Sequence, residues 1–495
     1  MRDARAARAL AFGIGLGVVF AVLALSPIGA ALEEAVGLPW LFKMRGAVEP
    51  PPDVVIVALD KRSADHLGLP AHPREWPRSV HGKLIKELRA RGAAAIVFDL
   101  KFEKPRSPPE DEEFAQARGD FGRVFLVKGS DRQEKPEIGM APILDIPLQR
   151  NLEEAALGAA PFPIPRVQSR RVNQIWAFHA GNATLPAAAL HAGVQHSWLK
   201  LLNESGLSIG ASALDNEEIP VSSELTHSLR LAFKNNPNFA ETIRHRLAQM
   251  QREIGNSALP SPLLESLIRL YEGPDNFYLN FYGPPGTIPT ISYYQVLSGG
   301  AALDSSAFRG KTVFVGVSEL TRLLKEDSFP TVFGRDDGVD LSGVEIAATA
   351  YANMLTGHTV RPVSPELAAA IVFALGVVIT VCSLTIPAGW ALTVAFAIAA
   401  GYAIAAQMLF AGYATWVPLA TPLMLLIPTA VLLGFASQNS FVRRQRQRVL
   451  RALGNYVPAK VAKTFADRTT EPSTVRETVY ATCLAADAEG FTAVA

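Results

Sequence analysis

Four residues near the ends of predicted strands carry side chains that could bind a ligand. Asp60 ends the apolar run DVVIVALD, Asp99 lies in the run AAAIVFDL, and Trp76 and Arg78 fall between them. In α/β sheets ligands bind outside the carboxyl ends of the strands, and these residues offer charged and aromatic contacts there. The alternative is structural: Asp60 and Asp99 cap turns, and Arg78 pairs with one of them.

A further carboxylate, Asp487, ends the apolar run TVYATCLAAD close to residue 495. Gly490, Phe491 and Thr492 follow it, so the pattern indicates a strand that delivers a carboxylate to a turn. An aspartate followed three residues later by glycine occurs after strands in many folds, where it usually caps the turn. The spacing alone therefore leaves a turn cap and a binding carboxylate both open.

The elements that position Asp60 and Asp99 follow a strand–helix–strand order. Between the two strands, Leu84, Ile85 and Leu88 recur at helical spacing, and Gly92 ends the helix. FGRVFLVKG and RGKTVFVGVSE are predicted as further strands, and LSGVEIAATAYANML as a helix that leads towards the membrane. This order is typical of an α/β layer with parallel pairing.

The middle of this region is less regular. RQEKPEIGMAPILDIPLQ and GAAPFPIPRVQSRR are rich in proline and are predicted as loops. Residues 236–256 are charged and favour helix, which indicates a solvated helix face.

Four apolar runs reach the length of about 20 residues that a helix needs to cross a bilayer. They lie at residues 10–32, 367–386, 390–410 and 415–436. The first exceeds the roughly 7–15 apolar residues of a signal peptide, so we favour a retained anchor. The last three contain no Asp, Glu, Lys or Arg, which argues against an ion or proton pathway. Pro418, Pro422 and Pro428 are expected to kink the last span.

Positive charge next to the spans predicts their orientation. Three arginines precede the first span and five follow the last one, namely Arg2, Arg5, Arg8, Arg443, Arg444, Arg446, Arg448 and Arg451. By the positive-inside rule both termini are cytoplasmic and the long segment between the first two spans is exported. We therefore expect a multi-pass protein of the plasma (inner) membrane.

Composition excludes several other classes. The 47 basic and 46 acidic residues give a net charge of +1, which does not support a nucleic-acid partner. Only Cys382 and Cys483 occur, both outside the exported segment, so neither a disulfide framework nor a Cys-rich zinc site is expected. His191 and His196 are five residues apart, and a satisfied or solvated pair is favoured over a metal site.

The exported segment resembles a known sensor family. VVIVALDKRS, WPRSVHGKLIKELRARGAAAIVFDLKF, LNFYGPPGTIPTISYYQVL, GKTVFVGVS and GVEIAATAYANML look like the second type of CHASE extracellular sensor domain. The similarity runs from about Pro51 to Gly357. It implies sensing of an unknown extracytoplasmic ligand by an α/β domain, followed by three transmembrane helices and a cytoplasmic output domain.

A second resemblance concerns the end of the sequence. NYVPAKVAKTF and VYATCLAADAEGFTAVA look like the opening of a class III adenylate/guanylate cyclase domain, an α+β ferredoxin-like fold. The resemblance implies that Asp487 binds one of two Mg²⁺ or Mn²⁺ ions and that Gly490, Phe491 and Thr492 receive the phosphates of ATP. Magnesium prefers hard oxygen ligands, and helix N-termini present free N–H groups to phosphate. Two metal ions would activate the ribose hydroxyl and stabilise the leaving pyrophosphate.

These inferences divide the chain as follows: a cytoplasmic tail (1–9), a transmembrane helix (10–32), the exported sensor (33–365), three transmembrane helices (367–386, 390–410 and 415–436), a signalling linker (437–474) and the beginning of a cyclase domain (475–495). Val442, Val449, Leu453 and Val457 approximate a helical stripe in the linker that suits a homodimer, and the basic face of the linker suits anionic membrane lipid.

The expected function is a receptor that controls conversion of ATP to cyclic AMP and pyrophosphate. The cyclase family needs a second metal-binding aspartate and base-selecting residues further along, so we expect these 495 residues to be inactive alone and to begin a longer protein. The main alternative is a non-catalytic receptor or anchor that signals through a partner. A histidine kinase is disfavoured because no histidine follows His358, and a diguanylate cyclase because its Gly-Gly-acidic loop is absent.

Overall fold

The computed structural model describes residues 2–102, 105–132, 143–146, 158–164, 171–207, 221–254, 260–298, 304–319, 327–334 and 339–454. The predicted metal and phosphate residues Asp487, Gly490, Phe491 and Thr492 lie outside the described residues. The structure therefore bears on the sensor and the membrane helices.

A seven-stranded sheet forms the centre of the sensor. Its strands are β1 (Val54–Leu59), β2 (Ala95–Asp99), β3 (Val124–Arg132), β4 (Ile143–Ile146), β5 (Gly158–Pro161), β10 (Thr290–Ser292) and β11 (Thr312–Val317). The order is β10-β1-β11-β2-β3, and β4 and β5 both pair with β3. Every pair is parallel except β3–β4. The parallel pairing predicted from the strand–helix–strand order is confirmed.

The remaining strands are short and pair outside this sheet. They are β6 (Gln174–Trp176), β7 (Phe178–His179), β8 (Asn182–Ala183), β9 (Asn276–Tyr278), β12 (Ser328–Phe329), β13 (Leu341–Ser342), β14 (Arg361–Pro362) and β15 (Thr415–Trp416). The pair β14–β15 joins the end of the sensor to the start of the last membrane segment.

Helices cover the sheet and continue into the membrane. They are α1 (Arg2–Leu25), α2 (Pro27–Leu32), α3 (Leu38–Arg45), α4 (Lys61–Leu67), α5 (Arg78–Ala90), α6 (Pro108–Phe121), α7 (Leu185–Ala189), α8 (Gln195–Glu204), α9 (Ser223–Asn235), α10 (Phe239–Ile254), α11 (Ser261–Glu272), α12 (Tyr293–Ser298), α13 (Gly343–Thr356), α14 (Pro365–Thr385), α15 (Ala388–Tyr413) and α16 (Ile427–Gly454). Single π-helical turns at Glu33–Gly37 and Thr421–Leu426 precede α3 and α16.

Alternating side chains of the central strands bury against two different sets of helices. Val55 and Val57 of β1 pack with residues of α5 and α6, such as Leu84 and Phe114. Val54 and Ile56 of the same strand pack with residues of α7 and α13. Burial on both faces explains why β1 is apolar at every position, as expected for a parallel strand.

Two of the predicted loops contain strands. Ile143–Ile146 and Gly158–Pro161 form β4 and β5, both paired with β3. A proline cannot donate to a ladder, but it is tolerated where a strand needs no donor. Pro161 is the last residue of β5, so the proline content of this segment was a misleading signal. The predicted helix within residues 236–256 is confirmed as α10, although one face of it, with Ile243 and Met250, is buried.

Among the described residues, four helices are long and apolar enough to cross a membrane, at Ala6–Leu25, Pro365–Thr385, Ala388–Tyr413 and Thr421–Ser440. The first ends at Leu25 and not at Leu32, because Ser26 accepts the N–H of Gly29 and starts the new helix α2. The last begins at Thr421 and not at Thr415, because Thr415 and Trp416 are extended and pair with β14. Pro418 therefore precedes the helix, and Pro422 lies in its π-helical first turn.

The first span packs closely against α14. A Cβ on Gly376 would lie 2.8 Å from the Cα of Gly17, and a Cβ on Gly17 would lie 2.9 Å from the carbonyl oxygen of Phe373. Small residues at such positions let two membrane helices approach each other at backbone distance. The span that enters the sensor and the span that leaves it therefore form one packed pair.

Candidate functional site

The carboxyl edge of the parallel sheet gathers polar residues, and Asp60 is one of them. Its carboxylate accepts the backbone N–H of Ser63 at 2.8 Å and caps α4. The other carboxylate oxygen accepts the hydroxyl of Ser292, at the end of β10, at 2.6 Å. Asp60 thus has the structural role of a cap, as the alternative in the sequence analysis stated, and it also ties β1 to β10.

A cavity of about 190 Å³ opens at this edge beside β2. It is bounded by the segment between α4 and α5 and by the residues that follow β2. Four cationic side chains line it, those of Arg74, Arg78, Lys101 and Arg106, together with the rings of Trp76, His81 and Phe102. Of the four ligand-binding residues predicted from the sequence, the structure brings Trp76 and Arg78 into this cavity, whereas Asp60 does not line it.

Arg78 is almost fully buried and is held by a buried partner. Its guanidinium donates to Asp111 on α6 at 2.6 Å, and only 3% of Arg78 is exposed. Asp111 also accepts the backbone N–H of Arg106 at 3.1 Å. The partner expected from the sequence was Asp60 or Asp99, and this expectation was wrong because α6 supplies a carboxylate that lies 33 residues away in the chain.

Aromatic side chains form the apolar wall of the cavity. The indole N–H of Trp76 donates to the carbonyl of Pro70 at 2.8 Å, and its ring lies edge-on to Tyr293. His81 shares a 2.9 Å hydrogen bond with the hydroxyl of Tyr293. Burial, followed by the charges of Arg106 and Arg78, lowers the pKa of His81 to about 3. His81 is therefore neutral at physiological pH and adds no charge to the cavity.

Asp99 ends β2 next to the cavity and interacts with a second carboxylate. Burial, and then the charge of Asp327, raise the pKa of Asp99 to about 7, while Lys101 opposes the shift. Burial also raises the pKa of Asp327, although the charges of Arg74 and Lys101 and the N–H of Gly343 act in the opposite direction. Near neutral pH the two carboxylates together carry fewer than two negative charges. Among the described residues, no group of three or more His, Cys, Asp or Glu side chains could hold a metal ion.

A second site, missed by the sequence analysis, lies where the sensor meets the membrane helices. Glu33 is 7% exposed. One of its carboxylate oxygens accepts the backbone N–H groups of Leu419 at 2.7 Å and Ala420 at 3.0 Å, and the other accepts that of Thr421 at 2.6 Å. The first N–H groups of a helix have no partner within it, and negative charge is favourable there. Glu33 therefore caps the last membrane helix.

The local sequence explains how Glu33 reaches this position. Glu33 begins a π-helical turn that ends at Gly37, and a Cβ at Gly37 would collide with the carboxylate of Glu33. The available signal was an acidic pair, Glu33 and Glu34, directly after an apolar span. Its partner could not be identified from the sequence because it is backbone, 386 to 388 residues away.

Further contacts fasten the same junction. The guanidinium of Arg45, at the end of α3, donates to the side-chain oxygen of Asn280 at 2.5 Å and to the carbonyl of Phe281. On the other side, the N–H of Arg361 donates to the carbonyl of Ala414 at 2.9 Å, which continues the β14–β15 pair. The sensor is thus joined to the membrane helices through both of its ends.

A family model described as the CHASE2 domain matches residues 15–385. The chain belongs to the CHASE2 family. CHASE2 is a family of extracellular sensor domains, which agrees with sensing by a membrane receptor. The matched range of the CHASE2 domain includes the second half of the first span, Glu33, the whole sheet and α14. No curated protein and no solved structure matches the chain.

Replacing Asp99 by asparagine is expected to flatten the pH dependence of stability. The pKa of Asp99 is about 7 in the folded protein and ordinarily 3.8, so between these values the folded protein holds a proton that the unfolded chain releases. The free energy of unfolding therefore falls as the pH rises through this window. The melting temperature of Asp99→Asn relative to wild type should rise from about pH 4 to about pH 7 and then level off.

The measurement is thermal unfolding of the full chain in detergent over this pH range. The gain should reach several degrees, because each 1 kcal/mol shifts the midpoint of a domain of this size by roughly 2–4 °C. Some pH dependence will remain, since burial also raises the pKa of Glu345 to about 7. The control is Asp65→Asn, an exposed position on α4. Parallel melting curves for Asp99→Asn and wild type would contradict the assignment.

Proposed function

We propose that this chain is the sensory and membrane-spanning part of a homodimeric receptor whose exported CHASE2 domain controls a cytoplasmic nucleotide cyclase. In this proposal a ligand bound by the sensor shifts the elements next to the membrane, and the last helix carries the shift to the output domain. The observation that supports the proposal is the capping of the last membrane helix by Glu33.

The contacts of Glu33 are suited to carrying a movement of the sensor to the last membrane helix, because they join two continuous, well-packed elements. The π-helical turn that begins at Glu33 leads directly into α3, whose residues Leu41 and Phe42 are fully buried in the sensor core. On the other side, Thr421 begins a helical segment that runs without a break to Gly454. A displacement of α3 would therefore move three hydrogen bonds of the last helix together.

The same helix is longer than a span. The apolar part ends at Ser440, and residues 441–454 extend it by about 21 Å at 1.5 Å per residue. The exposed arginines Arg443, Arg444 and Arg448 lie on this extension. Positive charge beside a span favours the cytoplasmic side, which supports a cytoplasmic linker and an exported sensor.

The proposed output rests on the resemblance of the last residues to class III cyclases. Asp487 would bind one of two Mg²⁺ or Mn²⁺ ions, and Gly490, Phe491 and Thr492 would contact the phosphates of ATP. The 3′-hydroxyl oxygen of the ribose would attack the α-phosphorus as its proton leaves to solvent, and the bond to the β-phosphate oxygen would break to release pyrophosphate. Metal ions support both the attacking and the leaving oxygen in such displacements.

The alternative function is a non-catalytic receptor that signals through a partner protein. The capping by Glu33 and the extended last helix support it equally well, because both concern transmission and neither concerns the output. The reading frame after residue 495 separates the two: a second acidic residue at the end of a later strand favours the cyclase.

Glu33→Gln is expected to destabilise the junction and to change the output. The amide of glutamine offers one acceptor oxygen, so its NH₂ group would face a buried backbone N–H that the carboxylate now satisfies. The loss should be about 1–3 kcal/mol of unfolding free energy. Thermal unfolding of the full chain in detergent measures it, and cyclic nucleotide output of the receptor should shift from the wild-type level.

Glu34→Gln is the matched control, since Glu34 is the adjacent acid and contacts Asn173 and not the last helix. It should leave both readouts close to those of the wild type. Equal stability and equal output for Glu33→Gln and Glu34→Gln would show that the junction does not depend on the carboxylate of Glu33.

Asp487→Ala tests the proposed output separately. In a receptor that carries a complete cyclase domain, removal of a metal ligand should abolish cyclic AMP formation with Mg²⁺ or Mn²⁺, while the melting temperature of the sensor stays unchanged. The measurement is cyclic AMP production from ATP by purified protein. Undiminished turnover in this variant would refute the metal-binding role of Asp487.

A further inference from the structure

We propose that the cavity beside β2 binds a small soluble oxyanion, with a carboxylate, phosphate or sulfate group held by Arg74, Arg78 and Arg106. The assignment of such an anion as the sensed ligand rests on the proposed receptor function, whereas the binding itself does not. The proposal stands on the charge of the cavity, on its volume and on its place in the fold.

Cationic side chains gather at the cavity. Among the residues that the structure describes, its lining contains four cationic side chains and no acidic one. The carboxylate of Asp111 pairs with Arg78. Among the residues that the structure describes, no carboxylate forms an ion pair with Arg74 or Arg106. Asp327 lies near Arg74 and Lys101, Asp99 lies near Lys101, and burial favours the protonated form of both acids. Arg74 and Arg106 therefore bring to the cavity positive charge that no described carboxylate pairs with.

The two guanidinium groups nearest the aromatic wall are both held in place, that of Arg78 by its ion pair with Asp111 and that of Arg106 by a backbone carbonyl. Arg106 donates to the carbonyl of Trp76 at 2.9 Å, which is a neutral acceptor. The guanidinium carbon of Arg78 lies 5.7 Å from the centre of the Phe102 ring. Planar guanidinium groups recognise carboxylates and phosphates with paired hydrogen bonds.

The volume limits the size of the ligand. A cavity of about 150 Å³ can hold a six-carbon ring such as benzene. The cavity described here measures about 190 Å³, so it has room for an inorganic oxyanion or for an organic anion of similar size to that ring. The rings of Trp76 and Phe102 provide the apolar contacts that an organic anion would use.

The place of the cavity favours a soluble anion over a lipid headgroup. Helix α13 begins at the carboxyl edge of the sheet, where the N–H of Gly343 contacts Asp327, and it ends at Thr356, shortly before the span that starts at Pro365. Its 14 residues cover about 21 Å. The cavity at the carboxyl edge therefore lies on the side of the sensor away from the membrane helices.

Isothermal titration of the full chain in nanodiscs of neutral lipid tests the proposal. The probes are sodium phosphate, sulfate, succinate and citrate, with sodium chloride as the reference at equal ionic strength. We expect saturable binding of at least one oxyanion with a dissociation constant below about 1 mM. No saturable binding by any of the four, or binding only in nanodiscs that contain anionic lipid, would overturn the proposal.

Variants locate the binding in this cavity. The double variant Arg74→Gln with Arg106→Gln replaces two exposed side chains and leaves the buried Arg78–Asp111 pair intact. It should weaken binding by about tenfold or more. The double variant Arg62→Gln with Arg89→Gln, at exposed positions outside the cavity, should bind as the wild type does. Equal affinity in the two double variants would place the anion elsewhere and refute the proposal.

The calorimetric readout separates this proposal from the receptor function. Cavity-dependent binding supports the site, and if the same anion leaves cyclic nucleotide output unchanged, the proposed receptor function fails while the binding site stands. Absence of binding refutes the anion site. It does not bear on the role of Glu33 at the membrane junction, which the Glu33 and Glu34 variants test.

Discussion

Glu33 places one carboxylate within hydrogen-bond distance of three backbone N–H groups at the start of the last membrane helix. These hydrogen bonds are needed because a buried carboxylate costs free energy unless it is paired or fully hydrogen-bonded. They form in a structure in which the first span ends at Leu25, the chain turns through Gly37, and the last helix begins at Thr421. The end of the first membrane helix and the start of the last one are therefore both linked to the position of the Glu33 side chain.

The helices that cover the sheet impose a second constraint, since they leave only the edges of the sheet accessible to a ligand. Because helices cover both faces of β1, β2 and β11, the central sheet is open only at its edges, and the edge formed by the carboxyl ends of the strands collects the polar side chains. Asp60 is used there as a helix cap, and Arg78 is fixed by Asp111. The basic cavity forms where the segment before α5 meets the residues after β2. The basic cavity and the membrane junction thus lie at opposite ends of the sensor, connected by α13.

Much of the sensor could be predicted from the sequence because its signals are local. The apolar runs of β1 and β2 and the helical spacing of Leu84, Ile85 and Leu88 depend on neighbouring residues only. The sequence analysis named Trp76 and Arg78 because they lie between two predicted strands, and both line the cavity. The remaining cationic residues of the cavity follow β2 or precede Trp76 in stretches without periodicity, and only the folded chain brings them together. The same reason explains why Asp111 was not recognised as the partner of Arg78.

Other features were missed because a local signal pointed the wrong way. The proline content of two segments suggested loops, but the segments form β4 and β5 and pair with β3. Pairing with a long neighbouring strand outweighs a weak local preference of the sequence. Hydropathy placed Thr415 in the last span, but its backbone pairs with Arg361 instead. Glu33 directly follows an apolar run, so its sequence context is that of a charged residue in the solvent-exposed flank of a membrane span. Each of these corrections depends on a partner far away in the sequence.

Hydrogen exchange of the backbone amides of Leu419, Ala420 and Thr421 tests the central claim most directly. Amides that donate to a buried carboxylate should exchange slowly in the full chain, and Glu33→Gln should speed their exchange by about tenfold or more, because a lost hydrogen bond of about 1.5 kcal/mol corresponds to that factor. The amides in the middle of α14 should keep their wild-type rates. Unchanged slow exchange at residues 419–421 in the variant would contradict the account.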